Sequence, residues 1–348
     1  MAPQACQTNQ MACVCGRIFG RHNRMEIGMG TTTIPVKWHR FRAALLGFFM
    51  LGFCQVVHSD EGGVPFWMSG QYASLAAVPA TPGWSIPVIL YNYNGDASAS
   101  KSFNQGDSVS AGLSARSPLL MIEPTWAPDT KWWGGQPAIG LAFGYGRNSV
   151  DADVSIRPSG IEINRTDAIW GWTDLYPVVS VAWNSGVNNW MAYVTGDIPV
   201  GSYDPTRMAN LGIGHAALDI GGAYTYFNPT SGREFSATAG LTYNWENSDT
   251  DYQNGIDWHL DWAVSQFLSE QWEVGVAGYV YYQLTGDSGS GATLGSFKSR
   301  VAAIGPEVGY AFNIGKKQAY ANIRGYWEFW AKNRLEGATF FALVSIPL

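Results

Sequence analysis

Asp257, His259 and Asp261 occupy alternate positions of a short aromatic-rich run. On an extended chain such positions share a face roughly 7 Å apart, so two carboxylates and an imidazole project the same way. A metal site is one chemistry this set could support, but a single His with two carboxylates along one strand is a thin ligand set. A hydrogen-bonded polar network is the expectation. A hydrolytic centre would need a nucleophile beside a base. After residue 59 only His215 and His259 remain as imidazoles, and no Ser lies in a recognisable activated motif. These residues point away from an enzyme and imply no cofactor and no metal.

The elements that carry them alternate. In Trp272 to Leu284, Trp272, Val274, Val276, Val280, Tyr282 and Leu284 fall on one face, opposite Glu273, Gly275, Ala277, Tyr279, Tyr281 and Gln283. Ile256 to Leu268, Glu234 to Glu246 and Tyr320 to Lys332 repeat the pattern, and Phe340 to Leu348 places its apolar residues on one side. Soluble strands usually run about 5–6 residues, whereas a tilted membrane strand needs about 9–11. Only a closed barrel lets such strands satisfy their backbone in lipid. Short polar connections at 185–188, 228–232, 269–271 and 313–317 alternate with longer ones at 201–211, 247–254 and 286–299. Trp190, Tyr224, Tyr226, Tyr243, Trp245, Trp258 and Trp272 recur near strand ends, as the interfacial aromatic girdles of such barrels require. The fold class predicted is all-β: a transmembrane antiparallel β-barrel of about 12 strands, with short periplasmic turns and longer extracellular loops. The first strands are expected at 85–93, 108–121 and 138–145. The stretch 147–169, interrupted by Pro158, reads as a long outer loop or a hairpin, and 14 strands is the alternative if that hairpin joins the wall.

Lys37, Arg40 and Arg42 precede the apolar run AALLGFFMLGF, which is too short for a membrane helix and reads as a secretory signal peptide over 37–59, cut after Ser59. Residues 1–36 then read as an extension ahead of the true start, with Met25, Met29 or an unmarked codon near Lys37 as its site. Leu51-Gly52-Phe53-Cys54 loosely imitates a lipid-attachment site, but Phe53 is too large beside the Cys. All four cysteines, Cys6, Cys13, Cys15 and Cys54, precede the cut, so the exported chain holds none. Of 21 basic and 27 acidic residues, six and one precede it, leaving 15 against 26 and a net charge of −11. That balance argues against nucleic acid as a partner. Residues 60–83, with Pro65, Pro79 and Pro82, read as a Gly/Pro-rich lead-in or a segment folded into the lumen; 84–348 is the barrel.

With this assignment of faces, Asp174, Asp197, Asp219, Glu234, Glu246, Asp257, His259, Asp261, Glu273, Glu307, Arg324 and Glu328 point into the lumen, joined by the aromatics Tyr279, Tyr281, Tyr320, Tyr326 and Trp330. An acidic lumen attracts cations, and its rings could stack on an apolar or aromatic solute.

Several stretches carry a family resemblance. Leu211-Gly212, YQNGIDWHLDWA ending at Ala263, GYVYYQLTGDSG at 278–289, RVAAIGPEVGY at 300–310, YWEFWAKNRLEG at 326–337 and TGDIPVGSYDP at 195–205 together resemble the outer-membrane proteins associated with the phenol meta-cleavage pathway. Positions 171–174 read Gly-Trp-Thr-Asp where that family more often has Gly-Leu-Gly-Asp. The terminal residue is Leu348, where barrel chains commonly offer Phe or Trp to the barrel-assembly machinery. The resemblance implies an outer-membrane channel or transporter for small hydrophobic or aromatic compounds, with membrane lipid, the assembly machinery and the solute as partners. A structural or adhesive surface barrel without transport is the alternative.

Overall fold

The computed structural model describes residues 63–348 apart from 103–107, 158–160 and 294, so the signal-peptide, lipid-attachment and start-site expectations lie outside the described residues. Its strands are β1 (Gly83–Ser102), β2 (Ser108–Ile122), β3 (Thr125–Ala127), β4 (Gln136–Arg157), β5 (Ile161–Trp172), β6 (Tyr176–Ser185), β7 (Asn188–Asp197), β8 (Ala217–Asn228), β9 (Arg233–Asn244), β10 (Asp257–Phe267), β11 (Trp272–Gln283), β12 (Arg300–Ile314), β13 (Lys317–Lys332) and β14 (Glu336–Pro347). Each pairs antiparallel with its neighbour, and β14 returns to β1 over Ser85↔Pro347 to Asp96↔Glu336. Closing β14 onto β1 leaves the twelve-strand wall no free edge for lipid to solvate. Among the described residues no helix is long and apolar enough to cross a membrane.

Twelve strands close the wall and two more extend it. The strand β4 organises both extensions, because its 22 residues outrun every partner. On one side it pairs first with β3 and then with β2; on the other with β6 over Gln136–Ala142 and with β5 over Tyr145–Ile156. The 147–169 stretch is therefore a hairpin whose second strand pairs with β4 alone. Between β5 and β7 the wall has no ladder. At the base of that gap the bridge Leu175↔Ile198 continues the β6–β7 register, and the β7–β8 connection fills the space above it.

Turn chemistry fixes the register at the periplasmic end. Gly186 and Gly315 open two-residue turns at φ +66° and +63°, a conformation that a Cβ would oppose. Above these turns the alternation sorts the side chains. Trp272, Val274, Val276, Tyr282 and Leu284 of and beside β11 are 36–50 % exposed on the outside, whereas Glu273, Ala277, Tyr279 and Tyr281 are buried on the inside. The outward set meets lipid.

Val276 lies near mid-strand on that face, so Val276→Arg is expected to destabilise the barrel by about 2–4 kcal/mol. Reversible urea unfolding in lipid vesicles measures it, with Glu270→Arg in a periplasmic turn expected to change stability little.

Candidate functional site in the barrel lumen

The lumen is occupied by the chain's own N-terminal segment. Val64, Phe66, Trp67, Met68, Ala73 and Ala77 are all buried. The three prolines noted above keep this stretch irregular, so its backbone groups are not consumed by a helix or ladder and need partners from the wall. Those partners are the inward polar residues. Asp261 on β10 accepts the Gly70 and Tyr72 amides at 2.9 and 3.2 Å. Glu234 on β9 accepts the Leu75 amide at 3.0 Å and the Ser74 hydroxyl at 3.0 Å, and Ser74 also bonds Glu307 on β12. The Ala77 amide donates to Thr225 Oγ1 on β8 at 2.9 Å.

From β13, Arg324 reaches the carbonyls of Gly70 and Gln71 at 3.0 and 2.6 Å, and Tyr326 OH donates to Gly70 O at 3.1 Å. Carboxylates thus take the segment's N–H groups while a guanidinium and a phenol take its carbonyls. Gly70 is the tightest point: at φ +85°, a Cβ would come within 2.7 Å of the Tyr326 ring and 2.9 Å of Tyr279. Nearer the outer face, Trp67 stacks on His259 with ring centroids 3.5 Å apart, and Tyr72 and Tyr193 stack beside it.

The Asp257–His259–Asp261 triplet faces inward on one strand, but each member has a separate partner. Asp257 accepts from Tyr281 OH at 2.6 Å and from Asn244 at 2.9 Å; His259 Nε2 lies 2.9 Å from Asp219; Asp261 holds the segment. Glu273 accepts from Tyr320 OH at 2.6 Å, and Glu328 from the hydroxyls of Tyr93 and Tyr279 at 3.0 and 2.8 Å. Among the described residues no group of three His, Cys, Asp or Glu side chains is placed to hold a metal ion.

Three expected lumen positions differ. Strand β9 ends at Asn244, so Glu246 leaves the alternation and sits exposed in an outer connection. Asp174 is buried in the break between β5 and β6, where it accepts the amides of Gly201 and Ile213 at 2.7 and 2.8 Å and ties down the β7–β8 connection. Trp330 points outward, because a bulge interrupts the alternation there. The residues sequence reasoning missed, Thr225 and Ser236, are small hydroxyls on β8 and β9 whose only sequence signal was their inward parity.

Above the segment a void of about 10 Å³, lined by Phe66, Trp67, Asn244, Asp257, Tyr281 and Arg334, has room for one water-sized molecule. Arg334 caps it from the β13–β14 connection, with its guanidinium 4.8 Å from the Tyr281 ring centroid. Burial works against that charge, but Glu328 together with Tyr93, Tyr281 and Tyr279 outweighs it and holds the guanidinium protonated even more firmly than usual.

Residues 76–344 match the family model described as "Putative MetA-pathway of phenol degradation". The chain belongs to this family. A search of the curated proteins returns no match. Among solved structures, an outer membrane channel from Pseudomonas putida F1 superposes with a TM-score of 0.59 at 12 % identity, covering 77 % of this chain and 97 % of the channel. A Pseudomonas aeruginosa FadL homologue gives a TM-score of 0.37 at 8 % identity over 76 % of this chain and 90 % of its own. At such identity the first likeness speaks for the fold, and it agrees with the closed wall described above. This family member is an outer-membrane β-barrel.

Gly70→Ala is expected to unseat the lumen segment, since the added methyl collides with Tyr326 and Tyr279 in a backbone conformation that already disfavours it. Single-channel conductance in planar bilayers should rise several-fold while the barrel keeps its heat-modifiable gel mobility. Unchanged conductance would show that the segment adapts in place.

Proposed function

We propose that the protein conducts small hydrophobic or aromatic solutes across the outer membrane by passive diffusion, with the N-terminal segment as its plug. The observation that carries this reading is the gap in the wall between β5 and β7. On its lipid side stand Trp172, Ile198 and Val200, 57 %, 46 % and 62 % exposed. Behind it, buried Leu211, Ile213, Tyr176 and Phe66 continue the apolar surface inward to the plug. A sideways path between lumen and bilayer would suit solutes that partition into hydrocarbon, and such a path would need no aqueous pore.

What closes the gap is polar and local. Asp174 holds Gly201 and Ile213, and Asp167 on β5 pairs with Arg207 at 2.6 Å and accepts the Met208 and Ala209 amides. These bonds belong to a loop, so they can open without breaking the barrel. The family's link to phenol degradation favours an aromatic solute, and the plug's Trp67 ring, seated on His259, models how a flat ring would lie. No nucleophile with an adjacent base is assigned any role, and the protein acts without chemistry or cofactor. A purely structural barrel would have little use for an unladdered gap beside an apolar lumen.

The exported chain lacks cysteine by its predicted cut, which permits a lock. Ser74 on the plug and Ser265 on β10 both donate to Glu234 Oε2 at 3.0 Å, so S74C/S265C is the pair to try as a plug-to-wall tether, its disulfide confirmed by mass before uptake is read. Uptake of labelled phenol or octanoate is measured in cells whose lipopolysaccharide-rich surface slows spontaneous entry. Oxidation is expected to abolish protein-dependent uptake, and reductant to restore it. Equal uptake by locked and unlocked protein would refute plug movement; no uptake above that of cells lacking the barrel would refute transport.

A further inference from the structure

A feature on the outer surface has no part in the lumen. Strand β13 should alternate through Trp330, which follows the inward Tyr326 and Glu328. Instead the β12–β13 register slips between Arg300 and Ala302, and Trp330 takes φ +65°. Such a conformation is uncommon for any residue but Gly. The bulge turns two successive rings, Phe329 and Trp330, outward at 50 % and 48 % exposure. Backbone distortion of this kind persists where the surroundings use what it presents.

What it presents is a seat for cations. The Arg300 guanidinium lies 4.3 Å from the Trp330 ring centroid, and the Tyr282 ring is 6.4 Å from the same indole. Tyr282 pairs with Arg300 and Arg300 with Lys332, so all three share the outward face. Among the described residues, the ion pairs are Arg207 with Asp167 and His259 with Asp219, and neither Arg300 nor Lys332 has an acidic partner. The Arg300 Nε is buried without a hydrogen-bond acceptor. Glu336, the acid on β14, is engaged by the Ala331 amide at 3.0 Å. In a chain this acidic, two adjacent cations left without a carboxylate call for an external anion.

Their height identifies it. Trp272 and Tyr282 lie on one outward face ten residues apart, which for a tilted strand spans about 25 Å, the full apolar band. Arg300, level with Tyr282 at the outer end, therefore stands at the headgroups of the outer leaflet. Below it Phe329, Trp327 and Ile304 are 50 %, 61 % and 45 % exposed, an apolar strip for acyl chains. We propose that Arg300, Lys332 and the bulged Trp330 form a docking site for the phosphate-bearing, multiply acylated glycolipid of the outer leaflet. The guanidinium fork takes a phosphate through two parallel bonds, and the ammonium supplies the second charge for a phosphate dianion. A zwitterionic phospholipid, whose own amine neutralises its phosphate, fits two cations less well. The site stands apart from the transport reading.

The test uses the full barrel extracted from outer membranes in mild detergent, with bound lipid counted by native mass spectrometry and affinities measured in lipid nanodiscs. Wild type is expected to retain the glycolipid and to bind bis-phosphorylated lipid A about tenfold more tightly than R300Q/K332Q does. Dephosphorylated lipid A and phosphatidylethanolamine are expected to bind both proteins equally weakly. R233Q/K316Q removes the same charge at the periplasmic end and should bind as wild type does. Equal binding by wild type and R300Q/K332Q, or equal loss in R233Q/K316Q, overturns the site. Displacement by millimolar inorganic phosphate would overturn the lipid assignment. Heat-modifiable gel mobility reports folding; should the double variant fail it, K332Q alone, at an exposed side chain, is expected to weaken lipid A binding several-fold, and unchanged binding there overturns the proposal equally.

Discussion

Every feature of this barrel depends on one constraint: hydrocarbon offers backbone amides nothing to bond with. The pairing of β14 with β1 meets that demand, and it forces the remaining architecture. Once the sheet is closed, alternate residues must face lipid or lumen with no third option. The lipid face is settled by transfer energy and the lumen face by whatever can satisfy its polar groups. Outward Val274 and Val276 and inward Glu273 are neighbours in sequence, separated only by that choice.

The lumen creates a second demand that the N-terminal segment answers. Asp261, Glu234 and Glu307 are buried carboxylates, and a buried charge without partners is costly. An irregular peptide has the reverse problem, since its amides and carbonyls have no ladder. Seated together they satisfy each other: Asp261 and Glu234 accept from Gly70, Tyr72 and Leu75, while Arg324 and Tyr326 donate to Gly70 and Gln71. The prolines that keep the segment out of regular structure are thus what leaves it able to bond the wall.

The barrel was legible in the sequence because alternation is a local property, carried by residues two apart. The fate of individual lumen side chains was not. Asp257, His259 and Asp261 share a face as their spacing demands, yet their partners, Tyr281, Asp219 and the Gly70 amide, come from strands and a segment up to 191 residues away. Parity also fails wherever a strand stops or slips. Glu246 follows the pattern of β9 on paper, but the ladder ends two residues earlier. Trp330 follows that of β13, but one extra residue at the bulge reverses it, and nothing in the local composition marks a bulge at a Trp rather than at a Gly. The β4–β5 hairpin was obscured by Pro158, which in the sequence falls after Arg157 and before Ile161, outside the bounds of both strands.

Under the proposed transport, the plug's interactions must be strong enough to order it and weak enough to release it. A hydrogen bond to a charged group contributes about 1.5–3 kcal/mol and a neutral one about 0.5–1.5. Fixing each residue's backbone costs about 1–2 kcal/mol, so the polar contacts of a segment this long roughly offset its ordering. The surplus then rests on a few buried rings and aliphatics, chiefly Phe66, Trp67 and Met68. Because each apolar side chain adds only about 1.5–3 kcal/mol, a solute that competes for the Trp67 seat removes a large share of what holds the segment in place. The ladders survive that exchange, since they close independently of the plug, but Asp261, Glu234 and Arg324 then need water or solute in place of the segment's amides and carbonyls. Solute entry and plug release would therefore be coupled through one aromatic site, and the barrel would remain intact throughout.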